Sequence, residues 1–371
     1  MKKINLLQFA SSYKMGLTAQ ETSLAIEYLN IKNLNLNLVS GENEQFKGLK
    51  HTLKIRNINH AVIQGLDEHK HFLKLVVSIR SLLIKNEIDI VTVNTNWQLV
   101  CVWFSKLFLS KKISIVYTVH GYRHNEFIKS IVARMLIGIG LMLFADKVNT
   151  PSKFLEKKFS FLGKKLITIS LGEEAIFFAN TRNRVDLEKI NFVFPGVFRH
   201  GKNHKVLIDI FVKFLELSGL SSSTLTLPGD GPLLDSIRRY VAFLNLEKNI
   251  ILPGMLNRDE MIKVYLSNTV AIMPSNIETF GHAIVEPLIL GNVLITRRTG
   301  VAEEIIKEGI NGFCFLKDDE ILKIMLDITK LSKSDLSRIS AAASESVKNF
   351  NWQSIAKSHY DQIFIPLMQI N

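Results

Sequence analysis

The sequence predicts an α/β protein with two doubly wound parallel sheets. This prediction rests on three observations: the chain length, an alternation of short apolar runs with amphipathic stretches, and a second series of that alternation in the C-terminal half. With 371 residues the chain exceeds the usual size of a single hydrophobic core, so two domains are expected. Hydrophobic residues make up 47% and charged residues 22%, which is typical of globular proteins.

The first half contains five short apolar segments that are typical of buried parallel strands. Between them, Thr18–Leu29 and His71–Ile84 carry apolar residues three to four positions apart, the spacing of a helix packed on one side. Repeated strand-then-helix order predicts a doubly wound sheet. The predicted strands are Ile4–Phe9, Leu34–Val39, Ile88–Asn94, Ile113–Val119 and Lys147–Asn149.

The same alternation begins again near Ile190, after the polar stretch Asn180–Lys189, which is expected to be a linker. We therefore predict an N-terminal Rossmann-like domain at residues 1–185 and a C-terminal one at residues 186–345. Ligands of such sheets bind at the carboxyl ends of the strands, so a ligand-binding cleft between the domains is expected. The second set of strands is predicted at Asn191–Phe194, Leu225–Leu227, Ile250–Leu252, Val270–Met273 and Val293–Thr296.

Cysteine usage and the N-terminus both favour the cytoplasm. Cys101 and Cys314 lie far apart in apolar runs, which indicates two buried thiols rather than a disulfide or a metal site. The opening MKKINLLQFASS is interrupted by Asn5 and Gln8, so it fits a first strand better than a signal peptide. The apolar stretch Ile131–Ala145 is too short to span a bilayer and predicts a buried helix, or alternatively one lying against a membrane.

The positive charge of the chain is confined to its first half. Residues 1–185 hold 26 Lys and Arg against 13 Asp and Glu, whereas the remaining residues hold 20 against 21. Such asymmetry indicates a surface that meets an anionic partner, for example phospholipid head groups or a lipid diphosphate. Ordinary solubilising charge is an equally good explanation for any single lysine.

The most informative segment is PSNIETFGHAIVEPLILGNVLIT, residues 274–296. A strand ends at Pro274, a loop contains Gly281, and a helix is expected to begin just beyond it. The backbone N–H groups at such a helix start suit a diphosphate. Glu278 in the loop and Glu286 in the early helix can accept hydrogen bonds from sugar hydroxyls.

This segment resembles the E-x7-E signature of retaining glycosyltransferases of family 4, which have the GT-B fold of two facing Rossmann-like domains. The resemblance implies that Glu278 holds the hydroxyls of the transferred sugar and that Glu278 and His120 are the catalytic residues. It implies that Glu286 holds the ribose of the donor. Thr279, Phe280 and Gly281 would complete the donor-binding loop.

Other segments extend the resemblance over nearly the whole chain. IVYTVHG, ending at His120 and Gly121, looks like the family strand whose histidine lies beside the donor sugar. FVFPGVFRHGKNHKVL resembles the segment that supplies a basic pair to the donor diphosphate, here Lys202 and, in place of the usual arginine at Val197, Arg199. The segment at residues 346–371 looks like the terminal helices that cross back onto the N-terminal domain.

Three positions depart from the family pattern. The glycine pair near the donor phosphates is reduced to Gly16, the Asn-Gly after the interdomain region is Leu171-Gly172, and Pro287 follows the second glutamate. None of these changes removes a reacting group.

The resemblance implies a retaining hexosyltransferase of bacterial surface-polysaccharide or O-antigen lipopolysaccharide biosynthesis. Its donor would be a nucleotide-sugar, expected to be a UDP-sugar, and its acceptor a polyprenyl-diphosphate-linked or other glycan. No cofactor and no metal ion are expected. The enzyme would be cytoplasmic and peripheral at the inner membrane, with the basic N-terminal half against the anionic surface.

Three alternative functions compete with this interpretation. A nucleotide-sugar 2-epimerase would keep the fold but needs additional acid and base residues. A dinucleotide-dependent oxidoreductase lacks support because no Gly-x-Gly-x-x-Gly follows the first strand. A nucleic-acid-binding role is disfavoured because no aromatic–basic recognition motif is present.

Overall fold

A computed structural model of the chain describes residues 3–10, 15–41, 59–66, 71–120, 137–181 and 190–370. The chain divides into two compact units. Unit 1 comprises Met1–Gly172 together with Asn351–Asn371, and unit 2 comprises Glu173–Phe350. Unit 2 is therefore inserted into unit 1. The domain boundary expected after residue 185 stands at residue 172 in this division, and most of the expected linker lies outside the described residues.

Unit 1 is built on a seven-stranded parallel sheet with the order β3-β2-β1-β4-β5-β6-β7. Its strands are β1 (Ile4–Ala10), β2 (Leu34–Ser40), β3 (Asn59–Val62), β4 (Ile90–Val93), β5 (Ser114–Thr118), β6 (Lys147–Thr150) and β7 (Leu166–Thr168). Its helices before the insertion are α1 (Met15–Tyr28), α2 (Phe72–Lys85), α3 (Asn96–Lys106) and α4 (Lys153–Lys158). A 3-10 turn covers Ser160–Lys165, and residues 137–144 are helical.

The C-terminal segment completes unit 1. It contains α13 (Trp352–His359), a π-helical turn (Tyr360–Phe364) and α14 (Ile365–Ile370). The Tyr28 hydroxyl at the end of α1 lies 2.6 Å from His359 Nδ1, and both side chains are buried. Burial disfavours the charged imidazole and lowers the pKa of His359 to about 4. The last helices are thus part of the core of unit 1.

Unit 2 is built on a six-stranded parallel sheet with the order β10-β9-β8-β11-β12-β13. Its strands are β8 (Phe192–Val193), β9 (Leu225–Thr226), β10 (Ile250–Ile251), β11 (Val270–Met273), β12 (Val293–Arg297) and β13 (Phe313–Phe315). Its helices are α5 (Ala175–Ala179), α6 (His204–Ser218), α7 (Leu234–Phe243), α8 (Arg258–Ser267), α9 (His282–Ile289), α10 (Ala302–Ile305), α11 (Asp319–Thr329) and α12 (Lys333–Ser346).

The predicted pair of doubly wound parallel sheets is confirmed. Three strands were not predicted from the sequence: β3, β7 and β13, each at or next to a sheet edge. Most of their residues are only half-buried or exposed, so their sequences do not form long apolar runs. The helix expected just beyond Gly281 is α9, and it includes Pro287.

The apolar stretch Ile131–Ala145 is described only from residue 137. Its helical part exposes Ile139, Met142 and Leu143. The prediction of a buried helix is therefore wrong for this part. Among the described residues, no helix is both long and apolar enough to cross a bilayer.

Candidate functional site

The strand order of unit 2 reverses between β8 and β11. The connections from β8 lead to β9 and β10 on one side, and β11 begins the series on the other. Loops that leave two such strands diverge and open a crevice at their carboxyl ends, where ligands of open α/β sheets bind. The loop after β8 contains Lys202, and the loop after β11 contains Glu278.

These two loops bring Lys202 and Glu278 into direct contact. Lys202 Nζ lies 2.6 Å from Glu278 Oε1, and the side chains are 15% and 17% exposed. The loops are joined by three further bonds: Asn203 Nδ2 donates to the Pro274 carbonyl at 2.9 Å and to Asn276 Oδ1 at 2.6 Å, and the Asn276 N–H donates to the Gly201 carbonyl at 2.8 Å. An anion that binds the Lys202 ammonium would therefore lie next to the Glu278 carboxylate. That carboxylate can accept hydrogen bonds from hydroxyl groups.

Neighbouring loops pack closely on the backbone of the two loops that carry Lys202 and Glu278. The Val301 N–H, in the loop after β12, donates to the Phe280 carbonyl at 2.8 Å. A Cβ at Gly300 would lie 2.3 Å from that same oxygen. On the other side a Cβ at Gly229 would lie 2.1 Å from the Gly196 carbonyl oxygen. Glycine is thus required at both positions for the loops to approach.

Glu286 lies in the middle of α9 and is buried, with 5% exposure. Its two carboxylate oxygens have separate partners: Arg258 Nη1 donates to Oε1 at 3.0 Å, and the Tyr265 hydroxyl donates to Oε2 at 3.0 Å. Burial first, and then the Glu286 carboxylate, raise the pKa of Tyr265, so the phenol remains a donor. A carboxylate can accept about four hydrogen bonds, so the two partners orient Glu286 without exhausting its accepting capacity.

A second pair of titratable groups, a half-buried histidine and a buried glutamate, lies at the N-terminus of α9. His282 Nδ1 is 2.6 Å from Glu173 Oε1, and Glu173 is 3% exposed. Burial raises the pKa of the Glu173 carboxyl to about 7. Burial disfavours charge on His282 as well, but the attraction of Glu173 outweighs it and raises the pKa of the imidazole. The pair therefore binds protons more readily than the same groups in water.

The remaining residues proposed from the sequence fall into two groups. Within unit 2, Arg199 is exposed, Thr279 is half-buried, Phe280 is buried, and Gly281 precedes α9 with φ of 101°. Within unit 1, His120 follows β5 and is half-buried, and Gly16 lies in the first turn of α1. The structure thus joins Lys202 directly to Glu278, and Glu286 lies further along the same loop and helix.

Sequence reasoning missed four residues of this region: Glu173, Arg258, Tyr265 and His282. Arg258 follows the helix cap Asn257, whose capping box with Glu260 is recognisable in the sequence as Asn-x-x-Glu. That pattern locates the start of α8 but says nothing about which helix it faces. The one available signal was His282, which directly follows the glycine of the predicted donor loop.

Residues 178–345 match the family model described as Glycosyl transferases group 1. The matched residues lie within unit 2. An uncharacterized glycosyltransferase of Methanocaldococcus jannaschii is 28% identical over 165 residues, covering 44% of this chain and 41% of that protein. A GDP-mannose-dependent alpha-mannosyltransferase of Corynebacterium glutamicum is 31% identical over 153 residues, covering 40% of this chain and 35% of that protein.

The sequence matches to these two relatives therefore span about two fifths of their length. Structural similarity extends further. The Anabaena protein HepE, solved in complex with UDP and glucose, superposes with a TM-score of 0.74 over 99% of this chain and 100% of that one, at 17% identity. This likeness shows the fold, and the predicted GT-B fold class is confirmed.

The close approach of the loops can be tested with two glycines of similar backbone conformation. Gly300 has φ of +58° and Gly309 has φ of +69°, but nothing lies within 4 Å of a Cβ at Gly309. Gly309→Ala is expected to cost about 1–2 kcal/mol from the left-handed conformation alone. Gly300→Ala is expected to cost a further ~1–3 kcal/mol because it pushes the Phe280 carbonyl away. Urea unfolding measures both, and equal losses would contradict the steric argument.

The Glu173–His282 pair predicts a pH dependence of stability. Both pKa values are raised in the folded state, so folding binds protons and stability is lost as the pH rises from about 5 through about 7. The unfolding free energy of the wild type, measured relative to a Glu173→Gln/His282→Asn variant, should fall over this range by up to about 1.4 kcal/mol per proton and pH unit. A difference that stays flat or rises with pH would show that the pair does not take up protons on folding.

Proposed function

We propose that the protein is a retaining glycosyltransferase of family 4 that transfers a sugar from a UDP-sugar to a lipid-linked glycan acceptor. The observation that carries this proposal is the Lys202–Glu278 contact at the strand-order reversal of a group 1 glycosyltransferase domain. It provides a cation for the donor phosphate and a carboxylate for sugar hydroxyls within one hydrogen-bond length of each other. UDP and glucose bound to HepE support a UDP-sugar as donor.

The proposed mechanism is attack of an acceptor hydroxyl oxygen on the anomeric carbon from the face on which the diphosphate leaves, because that route retains the anomeric configuration. The glycosidic bond forms as the bond to the diphosphate breaks, and the hydroxyl proton passes to the departing diphosphate oxygen. As the bond to the anomeric carbon breaks, negative charge develops on the diphosphate. Lys202, the exposed Arg199 and the N–H groups at the start of α9 are proposed to stabilise that charge. In this mechanism protein groups alone stabilise the negative charge on the diphosphate, and no metal ion or cofactor takes part.

The remaining residues have proposed roles in holding the donor. Glu278 binds hydroxyls of the transferred sugar, and Glu286, oriented by Arg258 and Tyr265, binds the ribose. His120 contacts the transferred sugar, and Gly16 contributes backbone near the donor phosphates. Thr279, Phe280 and Gly281 form the loop that carries Glu278 into α9.

Donor use tests this assignment. The wild type is assayed with a panel of UDP- and GDP-sugars and a polyprenyl-diphosphate-linked acceptor, and the anomeric configuration of the product is read by NMR. We expect a product with the configuration of the donor. Glu286→Ala should lower kcat/KM for the donor by roughly 100-fold or more, since it removes the ribose acceptor and leaves Arg258 without its buried partner.

Two controls make this result interpretable. Glu286→Gln keeps the side-chain shape and an oxygen for Tyr265, and should retain folding with partial loss of activity. Glu216→Ala, an exposed glutamate on α6, should be indistinguishable from the wild type. Unchanged donor kinetics in folded Glu286→Ala would overturn the ribose role, and epimerised UDP-sugar without glycan product would favour the epimerase alternative.

We further propose that unit 1 docks on the cytoplasmic face of an anionic membrane, where it meets an acceptor of surface-polysaccharide biosynthesis. A docking surface is defined by exposed apolar side chains on α2, at the end of α3, on residues 137–144 and on the 3-10 turn. They are Leu73, Val77, Ile84, Phe104, Phe108, Ile139, Met142, Leu143 and Phe161.

Ring contacts join these elements into one surface. The rings of Phe72 and Phe104 are 5.3 Å apart, and those of Trp103 and Phe144 are 4.7 Å apart. A Cβ at Gly138 would lie 2.9 Å from the Phe161 ring, so the 3-10 turn packs against residues 137–144. Exposed lysines flank the apolar residues in sequence, namely Lys74, Lys85, Lys112, Lys157, Lys158 and Lys164. Apolar insertion bordered by cations is the composition expected for binding anionic lipid.

Vesicle sedimentation tests the docking surface. The wild type should sediment with vesicles containing phosphatidylglycerol more strongly than with neutral phosphatidylcholine vesicles, and less strongly at high salt. Phe108→Glu/Leu143→Glu should lower the bound fraction at least several-fold. These side chains are 97% and 65% exposed, and the change replaces two apolar groups of the docking surface with negative charges. Phe243→Glu, in unit 2 and 79% exposed, is the matched control and should bind like the wild type. Equal loss in both variants would contradict the docking surface.

A further inference from the structure

Unit 1 has its own strand-order reversal, between β1 and β4. Three polar side chains meet at the carboxyl ends of these strands and of β5. Glu21 lies on α1 and is 3% exposed, Asn94 directly follows β4, and His120 follows β5. They come from three separate parts of the sequence, so only the fold brings them together.

The orientation of the Asn94 side chain is fixed by its donor contacts. Asn94 Nδ2 lies 3.1 Å from the Phe9 carbonyl oxygen and 2.5 Å from Glu21 Oε1. Both are acceptors, so the amide nitrogen belongs on this side and the amide oxygen on the other. The backbone N–H of Asn94 donates to Gln98 Oε1 at 3.0 Å, which fixes the residue itself.

This orientation determines the protonation of His120. Asn94 Oδ1 lies 3.1 Å from His120 Nε2. A primary amide oxygen has no proton to donate, so the bond requires hydrogen on Nε2. With Nε2 permanently a donor, Nδ1 is the nitrogen that gains and loses the proton of the imidazole.

We propose that Asn94 is a positioning residue that, anchored by Glu21 and the Phe9 carbonyl, holds His120 with Nε2 protonated and assigns its titration to Nδ1. The inference rests on the proposed function only where it connects His120 to sugar transfer. An amide is suited to this place because it donates to the carboxylate and accepts from the imidazole at once. A second carboxylate at position 94 would instead lie against Glu21, and the like charges would repel.

Among the described residues, two other titratable groups border the small cavity that Glu21, Asn94 and His120 line, namely Tyr28 and His359. They are hydrogen-bonded to each other at 2.6 Å, and burial moves both pKa values away from neutrality. Tyr28 and His359 are therefore uncharged at neutral pH, and the contact with Asn94 Oδ1 is the one that fixes a proton on His120 Nε2.

The experiment is an NMR titration of protein labelled with 15N-histidine between pH 5 and 9, with the His120 signals assigned by their loss in His120→Gln. In the wild type we expect Nε2 to keep the shift of a protonated nitrogen throughout, while Nδ1 alone changes. In Asn94→Leu the Nε2 signal should move towards the average of the two tautomers at high pH. Asn35→Leu, at an exposed asparagine of β2, is the matched control and should leave His120 unchanged.

A charge swap separates positioning from a merely structural role. In Glu21→Gln/Asn94→Asp the single carboxylate moves next to Nε2, so the pKa of His120 should rise by about one unit or more while Nε2 stays protonated. Dispersed backbone amide signals identify the folded variants. Loss of the Nε2 proton at high pH in the wild type, or a His120 pKa unaffected by the swap in the folded variant, would overturn the inference.

Kinetics then connect the result to the reaction. Folded Asn94→Leu should lower kcat roughly 10-fold or more with a smaller change in the donor KM, because the ring is present but no longer held. If the tautomer and the swap behave as stated while the wild type transfers no sugar, the proposed function fails and the role of Asn94 stands. If transfer occurs and Asn94→Leu is as active as the wild type, the positioning role fails.

Discussion

The candidate site of unit 2 depends on how closely the backbones of its loops approach one another. The Gly196 carbonyl oxygen lies where a Cβ of residue 229 would be, and the Phe280 carbonyl oxygen lies where a Cβ of residue 300 would be. Hydrogen bonds from Asn203 and Asn276 then join the loops after β8 and β11. Lys202 and Glu278 meet because their loops are held on both sides by contacts that only glycine permits. The placement of the charged side chains in this site therefore depends on backbone contacts.

Around this contact, charged and titratable groups are arranged in connected pairs. Arg258 contacts both Glu174 and Glu286, and Glu173 contacts His282. Glu173 and Glu286 are buried, and a buried carboxylate without partners is strongly unfavourable, so each of them limits where its partners can lie. Glu286 in particular is held through both carboxylate oxygens. Orientation of this kind, supplied by residues on another helix, is what a binding carboxylate requires to act on a particular hydroxyl.

Much of the fold could be predicted from the sequence because a central parallel strand is buried on both faces and reads as an apolar run. β11, with the sequence VAIM and every residue buried, is the clearest case. β3, with the sequence NHAV, lies at an edge and has no buried residue, so nothing distinguished it from a loop. Periodicity reports burial, and edge strands are the elements for which burial is incomplete.

The site was predictable in part for a different reason. The segment from Pro274 to Glu286 is continuous in sequence, so its two glutamates and Gly281 could be recognised together. Other contacts join residues that are distant in sequence: Glu173 and His282 are separated by 109 positions, and Glu21 and Asn94 by 73. Which residues form such pairs depends on the order of the strands in the sheet, and local sequence patterns do not predict that order. The same limit explains why Asn94 was read only as the end of a strand.

The insertion of unit 2 into unit 1 has a consequence for the order of folding. The chain enters unit 2 at Glu173 and leaves it at Phe350, and the Glu173 N–H donates to the Phe350 carbonyl at 2.6 Å, so the two ends of the insertion meet. On the ribosome, every residue of unit 2 emerges before Trp352 and His359 do. Unit 1 begins synthesis first yet lacks the helix that packs on Tyr28 until Trp352–His359 is made. Unit 2 therefore has its complete core first, and unit 1 must wait for a helix that follows unit 2 in the chain.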